Sequence, residues 1–442
     1  MMYLPDSIRT CMNMLENAGF AAYAVGGCVR DSLLGLTPHD YDLCTAATPD
    51  QIRSVFSGYR LVLAGEKHGT VSVVMDGGLI EITTFRTEGS YTDSRHPDWV
   101  RFVTDIEADL SRRDFTVNAM AYSPCRGFAD PFGGQEDLKS RTLRAVGDPV
   151  RRFTEDALRI LRGVRFSVRY GLTVEESTAR AMTELAPLMD SLARERVFEE
   201  LCGLLPLVNA EDLFRFQNIL TQIVPELLPT VGFDQKNPHH ALDLYSHIAH
   251  VVQNVSNSLP LRWAALLHDI GKPGTFSLDD NGIGHFLGHA KLGAEIANNI
   301  LLRLKAPTAV RQQVVFLIER HMTPLEPDKR ILRRRLGQYG IQGTLDLLAL
   351  QQADFCSKGT KEETDHFGQI RSLIEDILTE DACLSVKDLA VSGNDLIAIG
   401  FTPGPDIRKC LQALLSSVQE ETLPNTKEHL LSAAKVYKEE TL

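Results

Sequence analysis

The chain has 442 residues, 43% of them hydrophobic, which is enough for about two to four domains with cores of their own. Its formal net charge of −12 argues against indiscriminate, high-affinity binding of nucleic acids, because counterion release requires clustered Lys and Arg. No stretch has the apolar length of a membrane span or the pattern of a signal peptide, and eight cysteines lie without paired metal spacing, so we expect a reduced, cytoplasmic protein with no membrane partner.

The N-terminal third predicts a mixed β-sheet flanked by helices. Residues 1–20 carry apolar side chains at helical spacing, and residues 21–25 form an apolar strand that enters a glycine turn. Four further apolar or β-branched runs predict strands at 60–63, 70–75, 79–85 and 100–104. From about residue 150 onward the pattern is almost wholly helical.

Two aspartates, Asp40 and Asp42, follow the glycine turn. Side chains at positions i and i+2 of a strand share one face, so both carboxylates can bind the same pair of ions, and hard oxygen ligands of this kind suit Mg²⁺. Gly26 and Gly27 leave room for close backbone approach to a phosphate, and Arg30 on the following helix can hold its negative charge. Together these residues predict a site for metal ions and a triphosphate.

The order of these pieces resembles the nucleotidyltransferase head of the tRNA nucleotidyltransferase / poly(A) polymerase family, in its bacterial and eukaryotic class. The resemblance continues through segments 81–103, 109–123, 130–149 and 153–172. It implies an α+β fold in which a head with a mixed sheet precedes an all-α neck and body and a helical HD domain. The implied bounds are 1–145 for the head and 146–230 for a helical neck that selects the nucleotide and binds RNA.

The segment Glu155-Asp156-x-x-Arg159 matches the family's amino-acid template, which selects CTP and then ATP. An acceptor and a two-pronged donor one helical turn apart can meet the same planar edge of a base. Cytosine and adenine both offer an exocyclic amine beside a ring nitrogen, whereas uracil and guanine offer a carbonyl there. The spacing therefore predicts acceptance of C and A on one helical face; the alternative is a surface salt bridge.

Further site residues follow from the resemblance. Arg113 is expected to contact the triphosphate or sugar, with Asp114 as a supporting acid. Arg162 and Arg165 resemble the family's other nucleotide-binding arginines. Glu81 is a candidate third carboxylate of the metal site, or else a surface residue of its strand.

Residues 86–98 are polar, lack periodicity and contain glycine and proline, which is typical of a mobile loop. In the family such a loop is needed for the terminal A. Its full length here argues against an enzyme that stops after CC.

A second cluster of metal-binding residue types lies in the C-terminal half. An adjacent His-Asp pair can coordinate a divalent transition metal from a single helix. The order of histidines and aspartates resembles an HD-type metal phosphohydrolase at 231–365, followed by a helical tail at 366–442. The implied ligands are His247, His268, Asp269 and Asp354, with His289 and His321 as further candidates. Four other histidines compete for these roles, His239, His240, His250 and His285. The number of ions stays open, and Ni²⁺, Mn²⁺ or Co²⁺ are the metals considered.

Arginines recur along one side of 151–169, and KRILRRR occupies 329–335. Either segment is a candidate local RNA surface, although the second reads equally well as a solvated helix face.

These features predict an enzyme that adds C, C and A to tRNA 3′ ends from CTP and ATP with Mg²⁺, together with an HD phosphohydrolase activity on RNA 3′ ends. The alternatives are an enzyme that adds only A, a bacterial poly(A) polymerase, and an HD phosphohydrolase with a nucleotide-sensing head. The oligomeric state stays open.

Overall fold

The structure is a computed structural model that describes residues 2–75, 78–89, 99–238, 241–358, 365–380 and 383–441. The chain forms two compact units. The first comprises Met1–Val208 with Arg215–Pro225, and the second comprises Asn209–Phe214 with Glu226–Leu442. The four-part division expected from the sequence stays a prediction.

The first unit is built on a seven-stranded sheet. Its strands are β1 (Ala22–Val25), β2 (Leu43–Thr45), β3 (Arg60–Val62), β4 (Thr70–Met75), β5 (Gly78–Thr84), β8 (Ala121–Ser123) and β9 (Gly127–Ala129). The order is β3-β4-β5-β2-β1-β8-β9, and the β2–β5 pair is parallel whereas the other pairs are antiparallel. The predicted mixed sheet is therefore confirmed.

Two short ladders complete the strands of this unit. One joins β6 (Arg86–Glu88) to β7 (Val100–Phe102), and the other joins β10 (Thr142–Leu143) to β11 (Thr173–Val174). Residues 90–98 of the predicted mobile loop lie outside the described residues. The β6–β7 ladder therefore marks the base of that segment.

The helices of the first unit begin and end at local signals. Thr48 starts the third helix with a capping box, Asp148 caps the sixth, and Gly171 ends the seventh in the left-handed conformation. The helices are α1 (Asp6–Asn17), α2 (Gly27–Leu33), α3 (Pro49–Val55), α4 (Ile106–Leu110), α5 (Gly134–Lys139), α6 (Pro149–Glu155), α7 (Leu158–Tyr170), α8 (Glu176–Glu184) and α9 (Arg194–Leu204). Helix α10 (Ala210–Arg215) runs from the second unit into the first, which also holds α11 (Gln217–Ile223).

The second unit is almost entirely helical, which confirms the predicted α+β class with a helical body. Its elements are α12 (Leu244–Asn254), α13 (Leu259–Leu267), α14 (Lys272–Thr275), β12 (Ser277–Leu278), β13 (Gly284–His285), α15 (His289–Arg303), α16 (Thr308–Arg320), α17 (Lys329–Cys356), α18 (Asp365–Thr379), α19 (Gly393–Ala398), α20 (Pro405–Gln419) and α21 (Lys427–Thr441). The backbone of α17 bends at Gly340, whose φ is 73°. All eight cysteines are free. Within the described part of the chain, none of the helices combines the length and apolar character that crossing a membrane requires.

Candidate functional site

Three carboxylates lie near the start of strand β2, at the point where it begins to pair with β5. Leu43 of β2 and Ile82 of β5 are parallel partners, and Asp42 and Glu81 are the residues directly before them. Two parallel strands in register carry the residues before such a pair to the same end of the sheet. Asp40 lies two residues further back, and both aspartates keep solvent-exposed surface.

The aspartates were expected on a strand, and this is corrected by the structure. Strand β2 begins only at Leu43, so Asp40 and Asp42 lie in the segment that leads into it. The last ladder bond on this side runs from Val25 N to Asp42 O at 3.0 Å, and Gly26 then turns the chain away with φ of 76°. Without a partner strand beyond Val25, the residues before Asp42 cannot extend the ladder that β2 forms with β1.

Electrostatics at this site favour a bound cation. Protein atoms around the Asp42 carboxyl group remove part of its solvation, and together with the Asp40 and Glu81 carboxylates they raise its pKa, which Arg113 lowers in part. A divalent ion would relieve the repulsion among these hard oxygen ligands. Among the described residues, the oxygens of Asp40, Asp42 and Glu81 do not all lie within 4.8 Å of one another. Binding of an ion would therefore have to draw the three carboxylates closer together.

The glycine turn approaches Arg113 closely. A Cβ on Gly26 would lie 2.9 Å from Arg113 Nη1, and its φ of 76° also favours glycine. At Gly27 a Cβ would meet only Arg30 Nη2, at 3.6 Å, so the protein itself leaves room there. The Arg113 Nε atom is buried and has no hydrogen-bond partner among the described residues.

Arg30 is only 6% exposed and is engaged by the protein. It donates to Asn118 Oδ1 and to Tyr170 Oη, each at 2.5 Å, and its Nε donates to Asp31 Oδ1 at 2.8 Å. These contacts brace α2 against α7. The triphosphate contact predicted for Arg30 stays a prediction.

Asp114 is a buried carboxylate with several polar partners. Its Oδ1 accepts from Asn118 Nδ2 at 3.1 Å, and its Oδ2 accepts from Arg162 Nε at 2.9 Å. Burial alone would raise the pKa of Asp114, but the Arg162 charge, the Asn118 hydrogen bond and Arg159 lower it to about 2. Asp114 also raises the pKa of Arg162. Asp114 therefore stays ionised and orients Arg162.

A polar cleft of about 220 Å³ gathers most of the predicted nucleotide-binding residues. Its lining consists of Arg112, Arg113, Asp114, Asp156, Arg159, Arg162 and Arg196. Arg165 does not line it; this side chain donates to Glu200 Oε2 at 2.6 Å and lies over the Phe166 ring.

Asp156 and Arg159, which are predicted to read the base, do not lie on one helix, so this part of the prediction is wrong. Helix α6 ends at Glu155, Asp156 is extended with φ of −144°, and Arg159 belongs to α7. The carboxylate of Asp156 causes this break, because its Oδ1 accepts from Leu158 N at 3.0 Å and starts the new helix. Arg159 is held by Glu155 Oε2 at 3.0 Å and by the Arg112 carbonyl at 2.9 Å.

Sequence reasoning missed two residues of α9, Arg196, which lines the cleft, and Glu200, which pairs with its arginines. Arg196 donates to Asp156 Oδ2 at 3.0 Å, and Glu200 pairs with Arg162 and Arg165. The sequence signal that could have indicated these two residues is their i and i+4 spacing, which places both side chains on one face of α9.

The second unit gathers all six predicted HD ligands. Two groups have ligand atoms within 4.8 Å of one another, namely His247 with His268 and Asp354, and Asp269 with His289 and His321. Four of the six sit at or next to helix ends, and His247 and Asp354 project from α12 and α17.

The four histidine rings are oriented by the backbone. Each Nδ1 contacts a carbonyl oxygen, at 3.2 Å for His247, 2.9 Å for His268, 2.7 Å for His289 and 2.7 Å for His321. A neutral ring that donates from Nδ1 presents Nε2 as an acceptor, which is the form that binds metal. Burial and the neighbouring His268 lower the pKa of His321 to about 4, so it stays neutral at neutral pH.

Asp269 lies at the centre of this cluster and is 2% exposed. Although its burial opposes ionisation, His268, Lys272 and His247 hold its pKa well below the ordinary value. Lys272, three residues after Asp269, was not among the site residues predicted from the sequence. Its Nζ lies 2.7 Å from Asp269 Oδ2 and donates to Gln235 Oε1 at 2.9 Å. The HDIGK spacing could have indicated it. The donor set of imidazoles and carboxylates fits a divalent transition metal.

Two of the competing histidines lie elsewhere. The His250 ring packs on Phe214 at 6.2 Å, and His285 Nε2 contacts Asp279 Oδ2 at 3.2 Å. His239 and His240 lie outside the described residues.

In the basic segment 329–335, two cations pair with acids of the same unit. Lys329 Nζ lies 2.6 Å from Glu380, and Arg333 pairs with Glu380 and Glu421. For these two residues the contacts favour a structural role over an RNA surface.

Comparisons with known proteins identify the family to which this chain is similar. Residues 22–144 match the poly A polymerase head domain, 171–229 a probable RNA- and SrmB-binding site of polymerase A, and 276–434 a putative second domain of tRNA nucleotidyltransferase. The CCA-adding enzyme of Levilactobacillus brevis is 35% identical over 98% of this chain and 98% of its own. That of Limosilactobacillus fermentum is 35% identical over 97% of this chain and 96% of its own.

Solved structures show the same architecture. The crystal structure of the Bacillus stearothermophilus CCA-adding enzyme in complex with CTP aligns with a TM-score of 0.74 at 26% identity, covering 99% of this chain and 100% of that one. The Thermotoga maritima enzyme complexed with tRNA aligns at 0.62 and 20% identity over 98% and 95% of the two chains, a likeness of fold.

Proposed function

The chain belongs to the family of CCA-adding tRNA nucleotidyltransferases, and we propose that Asp40 and Asp42 form the centre at which it extends RNA ends. It adds C, C and A to tRNA 3′ ends from CTP and ATP. Relatives that match over nearly their whole length favour this activity over the poly(A) polymerase alternative. The cytoplasmic location expected from the cysteines stays a proposal.

Enzymes of this family use a divalent metal, generally Mg²⁺, which would activate the attacking 3′-hydroxyl and neutralise the leaving pyrophosphate. In our proposal Asp40 and Asp42 would hold the ions, and Glu81 would add a third carboxylate, because its charge acts on Asp42 and it precedes the parallel partner of Leu43. The 3′-oxygen attacks the α-phosphorus in line, and the bond to the β-phosphate oxygen breaks.

We assign binding of the triphosphate to Gly27, Arg30 and Arg113. Arg113 is the best supported of these, because its buried Nε lacks a partner among the described residues and its Nη1 lies against the glycine turn. Arg162 supplies further positive charge in the cleft and is held in place by Asp114, whereas Arg165 pairs with Glu200 outside the cleft.

Base selection is proposed for Asp156 and Arg159. Asp156 Oδ2 lies at the cleft with Arg196, where it can accept from the exocyclic amine of cytosine or adenine. Uracil and guanine would place a carbonyl against this acceptor, which costs a hydrogen bond and adds repulsion.

The carboxylate cluster beside the glycine turn is the observation that carries this proposal, and Asp42→Ala tests it. We expect the purified variant to lose addition of C and of A alike, on tRNAs that end before CCA, after C and after CC, each with all four NTPs and Mg²⁺. Sequencing the products reports each step. Near-normal incorporation by the folded variant would contradict the assignment.

We also propose that the C-terminal cluster is an HD-type phosphohydrolase site that acts on RNA 3′ ends, such as 2′,3′-cyclic phosphates. Support comes from the six converging ligands and the orientation of the four imidazoles by backbone carbonyls. Assays on 2′,3′-cyclic nucleotides with Ni²⁺, Mn²⁺, Co²⁺ or Mg²⁺ test it. Absence of hydrolysis with every metal would remove this activity, as would an unchanged rate in Asp269→Ala.

A further inference from the structure

We infer that Arg196 is a positioning residue for base selection and that it acts through Asp156. Arg196 holds one carboxylate oxygen of Asp156 in place, so that this oxygen stays a fixed acceptor for the exocyclic amine of cytosine or adenine. The inference rests on the proposed role of Asp156 in base selection. It deepens that role by naming the residue on which the selectivity of the carboxylate depends.

The backbone at Asp156 does not by itself fix the side chain. Asp156 lies between α6 and α7 in an extended conformation, with φ of −144° and ψ of 102°. Inside a helix, the preceding turn restricts the side-chain rotamers of each residue, and this restriction is missing at an extended residue. The orientation of the Asp156 carboxylate therefore depends on its hydrogen-bond partners.

The two carboxylate oxygens of Asp156 have partners of different kinds. Oδ1 accepts from Leu158 N at 3.0 Å, two residues later in the chain. Oδ2 accepts from Arg196 Nη2 at 3.0 Å, and these two residues are 40 positions apart. Because an ionised carboxylate oxygen can accept about two hydrogen bonds, Oδ2 keeps one acceptor site for the amine of a base.

Arg159, the second residue proposed to select the base, is held without Arg196. Its guanidinium donates to Glu155 Oε2 at 3.0 Å, to the Arg152 carbonyl at 3.1 Å and to the Arg112 carbonyl at 2.9 Å. These partners belong to α6 and to the segment that follows α4. Loss of Arg196 should therefore release the acceptor of the pair and leave the donor in place.

Helix α9 gives Arg196 a fixed position. The helix packs against α7, and Glu200, one turn after Arg196, accepts from Arg165 Nε of α7 at 2.6 Å. Residues at i and i+4 share one face of a helix, so the same face of α9 reaches both α7 and Asp156. The Arg196 side chain is 24% exposed and lines the polar cleft together with Asp156. Its guanidinium is therefore both supported by the fold and close to the nucleotide.

This geometry assigns Arg196 to discrimination between bases. A positive charge that only attracted the triphosphate would act equally on all four NTPs. A fixed carboxylate acceptor acts differently on each, because cytosine and adenine present an amine where uracil and guanine present a carbonyl. A carboxylate that can rotate would turn away from the carbonyl of uracil, and the penalty against UTP would be lost.

The test compares Arg196→Met with Arg194→Gln on tRNA that ends before CCA, with CTP or UTP as the one nucleotide. We expect Arg196→Met to lower the ratio of kcat/KM for CTP to that for UTP by at least about 10-fold, because Asp156 loses its support. Arg194 lies on the same helix, donates to the Asp190 carbonyl and is not among the residues that line the cleft. Arg194→Gln should therefore keep the wild-type ratio, and circular dichroism checks that both variants are folded.

Three further measurements separate positioning from a purely structural role. In an Asp156→Asn background, Arg196→Met should not change the CTP/UTP ratio further, since its effect passes through the carboxylate. Inhibition by tripolyphosphate, which carries no base, should stay within about twofold of wild type in Arg196→Met. Guanidine added to Arg196→Ala should restore part of the preference for CTP.

An unchanged CTP/UTP ratio in folded Arg196→Met would overturn the inference. It would also be overturned by an equal loss for CTP and UTP together with weaker inhibition by tripolyphosphate, or by the same effect of Arg196→Met with and without the Asp156 carboxylate. If Asp156→Asn alone keeps the wild-type ratio, the proposed base selection fails and the inference fails with it. A lower ratio in Asp156→Asn beside an unchanged ratio in Arg196→Met would refute only the role of Arg196.

Discussion

Asp156 uses its two carboxylate oxygens for different purposes. Oδ1 accepts from Leu158 N at 3.0 Å and starts α7, whereas Oδ2 accepts from Arg196 at 3.0 Å on the side of the cleft. A substitution can therefore separate the cap of the helix from the reading of the base. Asparagine keeps a capping oxygen but replaces the second acceptor with a donor.

We expect Asp156→Asn to shift base choice toward UTP, whose carbonyl can accept from the new amide. The change in kcat/KM for CTP relative to UTP should correspond to about 1–3 kcal/mol of lost discrimination. Asp156→Ala should relax the choice without favouring UTP as strongly, and should also cost about 1 kcal/mol of stability through the lost cap. Single-turnover rates with each NTP measure both, and an unchanged CTP/UTP ratio would place base selection elsewhere.

The ion pair between buried Asp114 and half-buried Arg162 predicts a pH dependence of stability. The pKa of Asp114 falls from 3.8 to about 2 on folding, so its ionised form stabilises the first unit above about pH 4. This contribution, about 2 kcal/mol, should be lost as pH falls from about 4 to about 2.

Urea titrations at pH 6, 4 and 3 measure this effect, with a fluorophore on exposed Cys125 in a Cys356→Ser background. Asp114→Asn should be less stable at pH 6 and should lose that part of the pH dependence. Parallel curves for the two proteins would exclude Asp114 as its source.

At the scale of elements, close approach between the α13–α14 turn and α15 assembles the C-terminal cluster. A Cβ on Gly271 would lie 2.3 Å from His289 O and 2.7 Å from Gly293 N. Both are backbone atoms, which cannot rotate away. The glycine thus lets Asp269 come within reach of His289.

Gly271→Ala should push α15 away from this turn, at a cost of about 1–3 kcal/mol. We expect weaker Mn²⁺ binding in the second unit, with CCA addition retained. Gly368→Ala is the matched control, because a Cβ there meets nothing within 4 Å and the site lies in helix α18. Thermal unfolding and Mn²⁺ titration compare the two variants. Equal stability and equal Mn²⁺ affinity would show that the backbone around Gly271 relaxes without cost.

On the scale of the whole molecule, the two candidate sites belong to different compact units. Asp40 and Asp42 lie in the first, and all six ligands of the C-terminal cluster lie in the second. The sites have separate ligand sets, so each chemistry should survive loss of the other.

We expect Asp269→Ala to abolish metal-dependent phosphoesterase activity while nucleotide addition persists, and Asp42→Ala to do the reverse. Both activities are measured on the same preparations of the full chain, with circular dichroism as the folding control. Loss of CCA addition in folded Asp269→Ala would mean that the second unit serves tRNA binding instead.

The sequence by itself determined which residue types are available to the two candidate sites. It predicted the mixed sheet, the helical body and the residue types of each cluster, because strand alternation, glycine turns and helix signals are local properties. The prediction of one continuous helix was wrong, since the spacing of Asp156 and Arg159 fits a single helix until the Asp156 side chain accepts from Leu158 N and starts a new one.

Only the tertiary structure decided how these residues meet. Glu81 reaches Asp42 through the register of parallel strands, Arg196 reaches Asp156 from α9, and Asp269 lies between two histidine pairs. Such contacts join residues that are tens of positions apart, and no local periodicity encodes them. Packing of separate helices and strands brings these charges together, and a buried one such as Asp269 is stable only beside its partners.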